Sequence, residues 1–220
     1  MGIKISGLKS IKGQVKVKNK NTNNNSIIQN PNVYSASLDD TVKKIDSEGN
    51  IVWTFSGHTN DVNSVAVDQS GNVYSGSQDD TVKKIDSSGN IVWTFTGHTS
   101  DVESVAVDSS GNVYSSSADK TVKKLDSEGN ELWTFTGYIS RVFSVAVDSS
   151  GNVYSGGGAF DETVRKIDSS GNELWVFSGH SDIIFSLAVD SSGNVYSGSW
   201  DNTVKKIDSS GNIVWTFTGH

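Results

Sequence analysis

Histidine, serine and aspartate are the residue types in this sequence that could carry catalytic or metal chemistry. The four histidines occupy one repeated position, at His58, His98, His180 and His220. Copies of one position around a repeat array do not converge on a shared metal ion, so we expect structural hydrogen bonds at these sites. Serine is abundant, but Gly-x-Ser-x-Gly, the turn that exposes a nucleophile in many hydrolases, does not occur. We therefore predict that the chain has no catalytic residues and binds no metal or cofactor.

Aspartates recur in a second pattern, Asp-Ser-Ser-Gly-Asn or a close variant. It occurs nine times, beginning at Asp46, Asp68, Asp86, Asp108, Asp126, Asp148, Asp168, Asp190 and Asp208. A calcium loop needs several carboxylates at alternating positions, whereas each copy supplies one or two. Aspartate can instead bond the backbone of a turn, and glycine supplies its positive φ. The pattern predicts nine tight hairpin turns.

The elements that these turns connect are defined by an internal repeat. Asn-Val-Tyr-Ser recurs at residues 32–35, 72–75, 112–115, 152–155 and 194–197, a period of 40 with two extra residues in the fourth copy. The segments VNSVAV, NVYSGS, TVKKID and NIVWTF are rich in β-branched and aromatic residues. No apolar period of 3.6 is present. We predict an all-β protein with four short antiparallel strands in each repeat.

Composition and charge narrow the function classes. The 220 residues include no cysteine and carry a net charge of −7, which excludes disulfides and thiolate chemistry and disfavours a nucleic-acid partner. No apolar segment is long enough to span a membrane, and no secretory signal is expected in the chain as given. Residues 1–20 hold six lysines and no acid, and an Asn-rich run follows.

Each repeat resembles a blade of the WD-repeat β-propeller family. The resemblance lies in Gly57-His58, in residues 62–68, in Ser75-Gly76-Ser77-Gln78-Asp79 and in residues 81–86. It covers about residues 26–220. The fourth strand of each repeat carries a tryptophan and is more similar to pyrroloquinoline-quinone-type propeller repeats. Both families have four-stranded blades, so the resemblance implies a propeller of about five blades.

The WD-repeat resemblance also implies a buried polar network in each blade. In that family a histidine before the first strand and an aspartate between the second and third strands belong to it. The matching residues here are His58, His98, His180, Asp79, Asp119 and Asp201. The family's tryptophan is replaced by Ile45, Ile85, Leu125, Ile167 and Ile207, and Tyr138 replaces one histidine. The fourth-strand tryptophans recur in every copy, and we expect them to pack between blades.

We predict two regions, a Lys/Asn-rich leader or hairpin at residues 1–25 and a propeller at residues 26–220. The blades are expected at about residues 26–56, 57–96, 97–136, 137–178 and 179–220. The first strand of blade one could come from residues 26–29, from residues 14–18 or from another chain. We expect the first and last blades to be adjacent and the ring to be closed by the chain termini. An open array that closes by association is the alternative, because unpaired blades expose strand edges.

One rim of the predicted propeller varies between copies while the other does not. In the last two blades this variable rim gains apolar, aromatic and charged residues where the earlier copies are mostly polar. We predict that a partner binds there, through Tyr138, Ile139, Arg141, Phe143, Phe160, Glu162, Ile183, Phe185, Trp200 and Asn202. In our alignment Phe160 and Trp200 correspond to Leu38, Gln78 and Ala118. Phe143 and Phe185 could instead pack between blades.

The predicted function is a non-enzymatic binding module that uses this rim as a protein-interaction scaffold, as most WD-repeat-like propellers do. A lectin-like, glycan-binding propeller, serving as an adhesin or a virion receptor-binding module, is the first alternative, because exposed aromatic rings stack on sugars. Self-association through the same residues is a further possibility. The second resemblance suggests a quinone-dependent enzyme, but short blades, the lack of an adjacent cysteine pair and the lack of a calcium site argue against it.

Overall fold

The computed structural model describes residues 15–17 and 32–219. These residues form twenty β-strands and no helix. The strands are β1 (Val15–Val17), β2 (Val33–Ala36), β3 (Val42–Ile45), β4 (Ile51–Phe55), β5 (Val62–Val67), β6 (Val73–Ser77), β7 (Val82–Ile85), β8 (Ile91–Phe95), β9 (Val102–Val107), β10 (Val113–Ser117), β11 (Val122–Leu125), β12 (Glu131–Phe135), β13 (Val142–Val147), β14 (Val153–Gly157), β15 (Val164–Ile167), β16 (Glu173–Phe177), β17 (Ile184–Val189), β18 (Val195–Ser199), β19 (Val204–Ile207) and β20 (Ile213–Phe217).

Each run of four consecutive strands forms one antiparallel sheet, and there are five such sheets, blades one to five. In blade two, Val65 pairs with Ser75, and Ser75 pairs with Lys83 on the next strand. In every blade the register shifts between the third and fourth strands. The all-β class and the five four-stranded blades predicted from the repeat are confirmed.

The Asp-Ser-Ser-Gly-Asn segments form the predicted hairpin turns. In the turn after β7, Asp86 Oδ1 accepts the backbone N–H groups of Ser88 and Asn90 at 2.8 and 2.9 Å. Gly89 has a φ of 94°, a conformation that a residue with a Cβ adopts only with strain. The aspartate oxygens are therefore occupied by their own turn. Within the described residues, no group of three or more His, Asp or Glu side chains could hold a metal ion.

Successive blades pack face to face, and the hydrophobic core lies between them. Tyr74 and Val82 of blade two pack against Val102, Val105 and Leu125 of blade three, and all five are buried. The residues alternate along each strand, so each blade offers one apolar face to the preceding blade and the other to the following blade. The same arrangement recurs between the other neighbouring blades.

Blade one takes its first strand from the lysine-rich segment. Val15 pairs with Ser35 and Val17 with Val33, so residues 15–17 complete the sheet. In the sequence analysis this segment is one of three candidate sources of the first strand. Residues 26–29, a second candidate, lie outside the described residues. The first sheet thus extends into the region assigned to a leader, while the division at residue 26 stays a prediction.

The described blades form an open arc rather than a closed ring, which corrects our expectation that blades one and five are adjacent. Val204 in blade five is only half-buried, whereas Val82, Val122 and Val164 at the same position are fully buried. A Cβ built on Gly76 would meet Val102 of the next blade at 2.6 Å, but a Cβ on Gly198 would meet no atom within 4 Å. The last blade therefore lacks the covering that a neighbour gives each internal blade.

The antiparallel order places the connections on two rims. The nine aspartate turns join first to second strands and third to fourth strands, so they share one edge, the constant rim. The other edge, the variable rim, holds the connections between second and third strands and between successive blades. Each second-to-third connection holds a non-glycine residue with a positive φ, at Asp40, Asp80, Lys120, Glu162 and Asn202, and the connection of blade four holds a second one, Phe160.

Candidate binding rim

A polar network supports the variable rim from below in blade two. His58 lies just before β5, and its Nδ1 is 2.8 Å from Asp79 Oδ2 in the β6–β7 connection. The His58 Nε2 is 2.8 Å from Ser75 Oγ on β6. Since a carboxylate only accepts, Nδ1 carries the proton and Nε2 accepts the serine hydroxyl. The Asp79 carboxylate also accepts the backbone N–H groups of Thr59 and Thr81. It thereby ties the two connections of the rim together.

The same network is present in blades three and five. The Nδ1 of His98 is 2.7 Å from Asp119, and the Nδ1 of His180 is 2.6 Å from Asp201. The Nε2 atoms bond Ser115 and Ser197 at 2.8 and 2.7 Å. The structure thus places the six predicted network residues together in three separate sets.

Burial decides what these Ser-His-Asp sets can do chemically. They contain the residue types of a hydrolase triad, but the Ser75 side chain is fully buried between blades and no substrate could reach it. Burial lowers the pKa of His58 and outweighs the bond to Asp79 and its charge, which would raise it. Burial would raise the pKa of Asp79, yet hydrogen bonds from Thr81 and His58 hold it below its usual value. With a neutral histidine and an ionised aspartate, the set can hold the two connections in place but cannot act as a catalytic triad. We call each such Ser-His-Asp set a brace.

Tyr138 takes the histidine position in blade four and is not part of the exposed rim. Its side chain is only 4 % exposed, and its hydroxyl lies 2.8 Å from both the carbonyl oxygen and the Oγ of Ser155. The expectation that Tyr138 contacts a partner is therefore corrected: the phenol reaches the serine that the histidine imidazole reaches elsewhere. Burial raises the pKa of this phenol, so it stays protonated.

Arg165 supplies what the missing histidine would have given to Asp161. The guanidinium lies 4.8 Å over the Tyr138 ring and pairs with Asp161 Oδ1 at 3.4 Å. It also pairs with Glu173 at 2.6 Å. The corresponding residue is lysine in the other four blades, at Lys43, Lys83, Lys123 and Lys205. The sequence analysis missed Arg165, although its being the one arginine at this position was the available signal.

The rim of blades two and three is polar. Gln78 Nε2 lies 3.4 Å from Asn63 Oδ1 within blade two. At the border with blade four, Arg141 pairs with Asp101 and with Glu103, each at 3.1 Å. These side chains satisfy one another across the surface.

The rim of blades four and five carries three neighbouring aromatic rings, Phe143, Phe185 and Trp200, which we call the aromatic cluster. The centroids of Phe143 and Phe185 are 4.7 Å apart, and those of Phe185 and Trp200 are 4.5 Å apart. Trp200 is 61 % exposed, and the Arg141 guanidinium lies over the Phe143 ring, 5.5 Å from its centroid. The two phenylalanines pack across the blade border and still leave surface open, so packing and exposure coexist.

The fourth blade's extra residues change one predicted equivalence. The backbone N–H of Gly158 bonds the carbonyl of Arg141, as Gln78 bonds Asp61 and Trp200 bonds Ile183. Gly158, not Phe160, is therefore the counterpart of Gln78 and Trp200. A Cβ on Gly158 would approach Phe143 to 2.9 Å, so the glycine makes room for that ring.

The insertion itself presents the most exposed aromatic side chain of the rim. Phe160 is 89 % exposed and has a φ of 74°, which is unfavourable for an aromatic residue. Ile139 is also exposed, at 66 %, and its N–H bonds Asp161. Asn202 is exposed, while Ile183 and Glu162 are half-buried. Apart from Tyr138, the predicted partner-binding residues thus lie on the rim, as expected from their connections.

The fold and the two kinds of network together define a WD-repeat-like β-propeller. A family model described as outer membrane protein assembly factor BamB, PQQ_2, matches residues 38–159, more than half of the chain, and the chain belongs to this family of propeller repeats. The model described as WD domain, G-beta repeat, matches residues 171–208. Both resemblances seen in the sequence are thereby confirmed.

Solved structures share the fold. The WD40 β-propeller domain of Doa1 is similar with a TM-score of 0.77 and 24 % identity, over 85 % of this chain and 64 % of that chain. The chain therefore spans less than two thirds of that domain. No curated protein matches the sequence. In the described residues, no helix is long and apolar enough to cross a membrane.

Proposed function

We propose that the protein is a non-enzymatic binding module whose variable rim binds a protein partner at blades four and five. The observation that carries this proposal is the aromatic cluster of Phe143, Phe185 and Trp200, of which Phe185 and Trp200 are exposed. The corresponding surface of blades two and three holds polar side chains that pair with one another. Aromatic and arginine side chains supply most of the binding energy in protein interfaces.

The residues around the aromatic cluster are suited to recognition. His180 and Asp201 hold the connection that carries Trp200, so ring and backbone are fixed before a partner arrives. Preorganisation of this kind lowers the entropy cost of binding. Arg141, Asp101 and Glu103 form a charged border beside the rings. A partner segment with an apolar anchor and polar flanks fits this surface.

A non-enzymatic role is supported by the same geometry. The serine of each Ser-His-Asp set is buried, and the turn aspartates are engaged by their own backbones. Glycan binding, the alternative derived from the exposed rings, gains no contact that favours it over a protein partner.

Selection of a displayed random-peptide library on the purified chain tests the proposal. Enriched peptides should bind the wild type and bind Trp200→Ser at least about 30-fold more weakly, the loss typical of an interface anchor of about 2 kcal/mol. Gln78→Ser is the matched control, because it alters the same position in blade two, and it should leave binding unchanged. Peptides that bind Trp200→Ser as well as wild type would overturn the site. A glycan array that binds the wild type while no peptide is enriched would overturn the partner class.

A further inference from the structure

One contact at the constant rim is made four times between neighbouring blades. The indole Nε1 of Trp93 and the Nζ of Lys84 in blade two both donate to the Ser127 carbonyl of blade three, at 3.0 Å. The ring lies over Gly129, where an added Cβ would stand 2.9 Å from the indole. The other three contacts join Trp53 to Ser87 and Gly89, Trp133 to Ser169 and Gly171, and Trp175 to Ser209 and Gly211.

The two ends of the arc hold the unmatched halves of this contact. Trp215 in blade five is 42 % exposed, and within the described residues no carbonyl accepts its indole N–H. Gly49 in blade one has a φ of 88°, close to the 90° to 94° of its counterparts, yet a Cβ there would meet no atom within 4 Å. Blade five therefore offers an indole without a glycine, and blade one offers a glycine without an indole.

The apolar surfaces beside these groups are unmatched in the same way. Tyr196 and Val204 on blade five are half-buried, whereas Tyr74 and Val82 are fully buried by the next blade. On blade one, Val33 and Ile45 are half-buried, whereas the equivalent residues of the later blades are fully buried. Each end thus lacks the surface that the other end carries.

We propose that the Trp215 face of blade five binds the Ser47–Gly49 face of blade one in a second copy of the chain. The occupant follows from the four internal contacts, in which faces of the same residue types already bind one another. In the assembled pair, the Trp215 indole covers Gly49, and the Trp215 Nε1 and Lys206 Nζ donate to the Ser47 carbonyl. Glu48 is no obstacle, because Glu128 occupies its place in the internal contact.

The association is head to tail, because the two faces lie at opposite ends of the arc of described blades. Such heterologous contacts leave a free face at each end of the assembly until it closes into a ring. The mass in solution should therefore rise with protein concentration. The aromatic cluster of the variable rim plays no part, so this association and partner binding are separable.

Light scattering coupled to size exclusion, from micromolar to near-millimolar protein, tests the proposal with two end variants. Trp215→Glu removes the blade-five face, and Gly49→Asn blocks the blade-one face while asparagine tolerates the positive φ. Each variant alone should remain a monomer. An equimolar mixture should give a dimer and nothing larger, because each variant keeps the face that the other lacks. Trp200→Ser should associate as the wild type does.

Three outcomes would overturn the proposal. A wild type that stays monomeric at every concentration has no such contact between copies. A mixture of the two end variants that stays monomeric shows that the faces do not bind each other. If Trp215→Glu lowers the thermal midpoint of a monomeric chain as much as Trp133→Glu does, the face is covered within the same chain.

Discussion

Blades three and four are neighbouring copies of one sequence that solve the same structural problem differently. Both begin their fourth strand with Glu-Leu-Trp, and both hold an aspartate at the rim connection. In blade three, His98 bonds Asp119 and Ser115. In blade four, Tyr138 bonds the serine alone, and Arg165 takes over the aspartate. The two contacts that one imidazole makes in blade three are thus made by a phenol and a guanidinium in blade four.

The comparison shows that the contacts to the buried serine and to the rim aspartate can be made by different sets of side chains. The rim residues above these contacts vary more freely. The exchange in blade four involves two positions at once, since tyrosine cannot satisfy Asp161 from where it lies. Above the brace, Glu103 becomes Phe143 and Ala118 becomes Gly158 without any change in strand order. The rim can therefore acquire a binding surface while the frame stays constant.

The largest effect is expected where the two blades do not differ, in the apolar face of their first strands. Val105→Asp in blade three would place an unpaired carboxylate in the core between blades. We expect a loss of more than about 4 kcal/mol in the free energy of unfolding, or failure to fold. Urea denaturation measures it, with Ser109→Asp in the exposed turn as the control. A soluble Val105→Asp variant as stable as this control would contradict the assignment of that face.

A smaller effect is expected from giving blade three the tyrosine and arginine that blade four has at the corresponding positions. His98→Tyr alone should lower the free energy of unfolding by about 2 kcal/mol, because Asp119 loses the hydrogen bond that the imidazole donates to it. The double variant His98→Tyr/Lys123→Arg should regain about 1 kcal/mol of that free energy. Glu131 already pairs with Lys123 in blade three, as Glu173 pairs with Arg165 in blade four.

A double-mutant cycle by urea denaturation gives the coupling energy. The reciprocal pair, Tyr138→His and Arg165→Lys, provides a second cycle in blade four. Strictly additive costs in both cycles would mean that Arg165 does not compensate for the missing histidine.

The sequence was sufficient for the features that every copy repeats. The period of 40, the β-branched segments and the Asp-Gly turns predicted the strands and hairpins because these depend on local propensity. The histidine brace followed from a family resemblance. Arg165 and Gly158 did not follow, because their roles depend on which side chains meet across two connections. The position of Phe160 was misassigned since an insertion can be placed at several points in a sequence, and only the Gly158 backbone bond fixes it.

The openness of the arc could not be predicted either. A count of strands gives the number of blades, but the angle between neighbouring blades decides whether the first and the last meet. That angle comes from packing at positions such as Gly76 against Val102, which periodicity does not report. The unmatched Trp215 and Gly49 became visible only once the four matched pairs had been found.

The smallest effect concerns the pH dependence of stability. It distinguishes blades two and five, which hold His58 and His180, from blade four, which holds Tyr138 instead. Burial holds the pKa of His58 and of His180 below the usual 6.5. Below pH 6.5 the unfolded chain therefore binds protons that the folded chain does not, and the free energy of unfolding falls. The carboxyls act in the same direction at lower pH. Burial would raise the pKa of Asp201, but bonds from Thr203 and His180 lower it to about 2, so its contribution is lost as the pH falls below 3.8.

Denaturation of His58→Gln/His180→Gln across this range tests the assignment. The double variant should be less stable than wild type at pH 7.5, but its stability should decline less between pH 6.5 and pH 5. Tyr138→Phe is the matched control from blade four; it removes a hydroxyl that stays protonated throughout and should leave the wild-type slope unchanged. Equal slopes in the wild type and the glutamine variant would place the acid sensitivity outside the histidine blades, and the difference between the two kinds of brace would then be one of geometry alone.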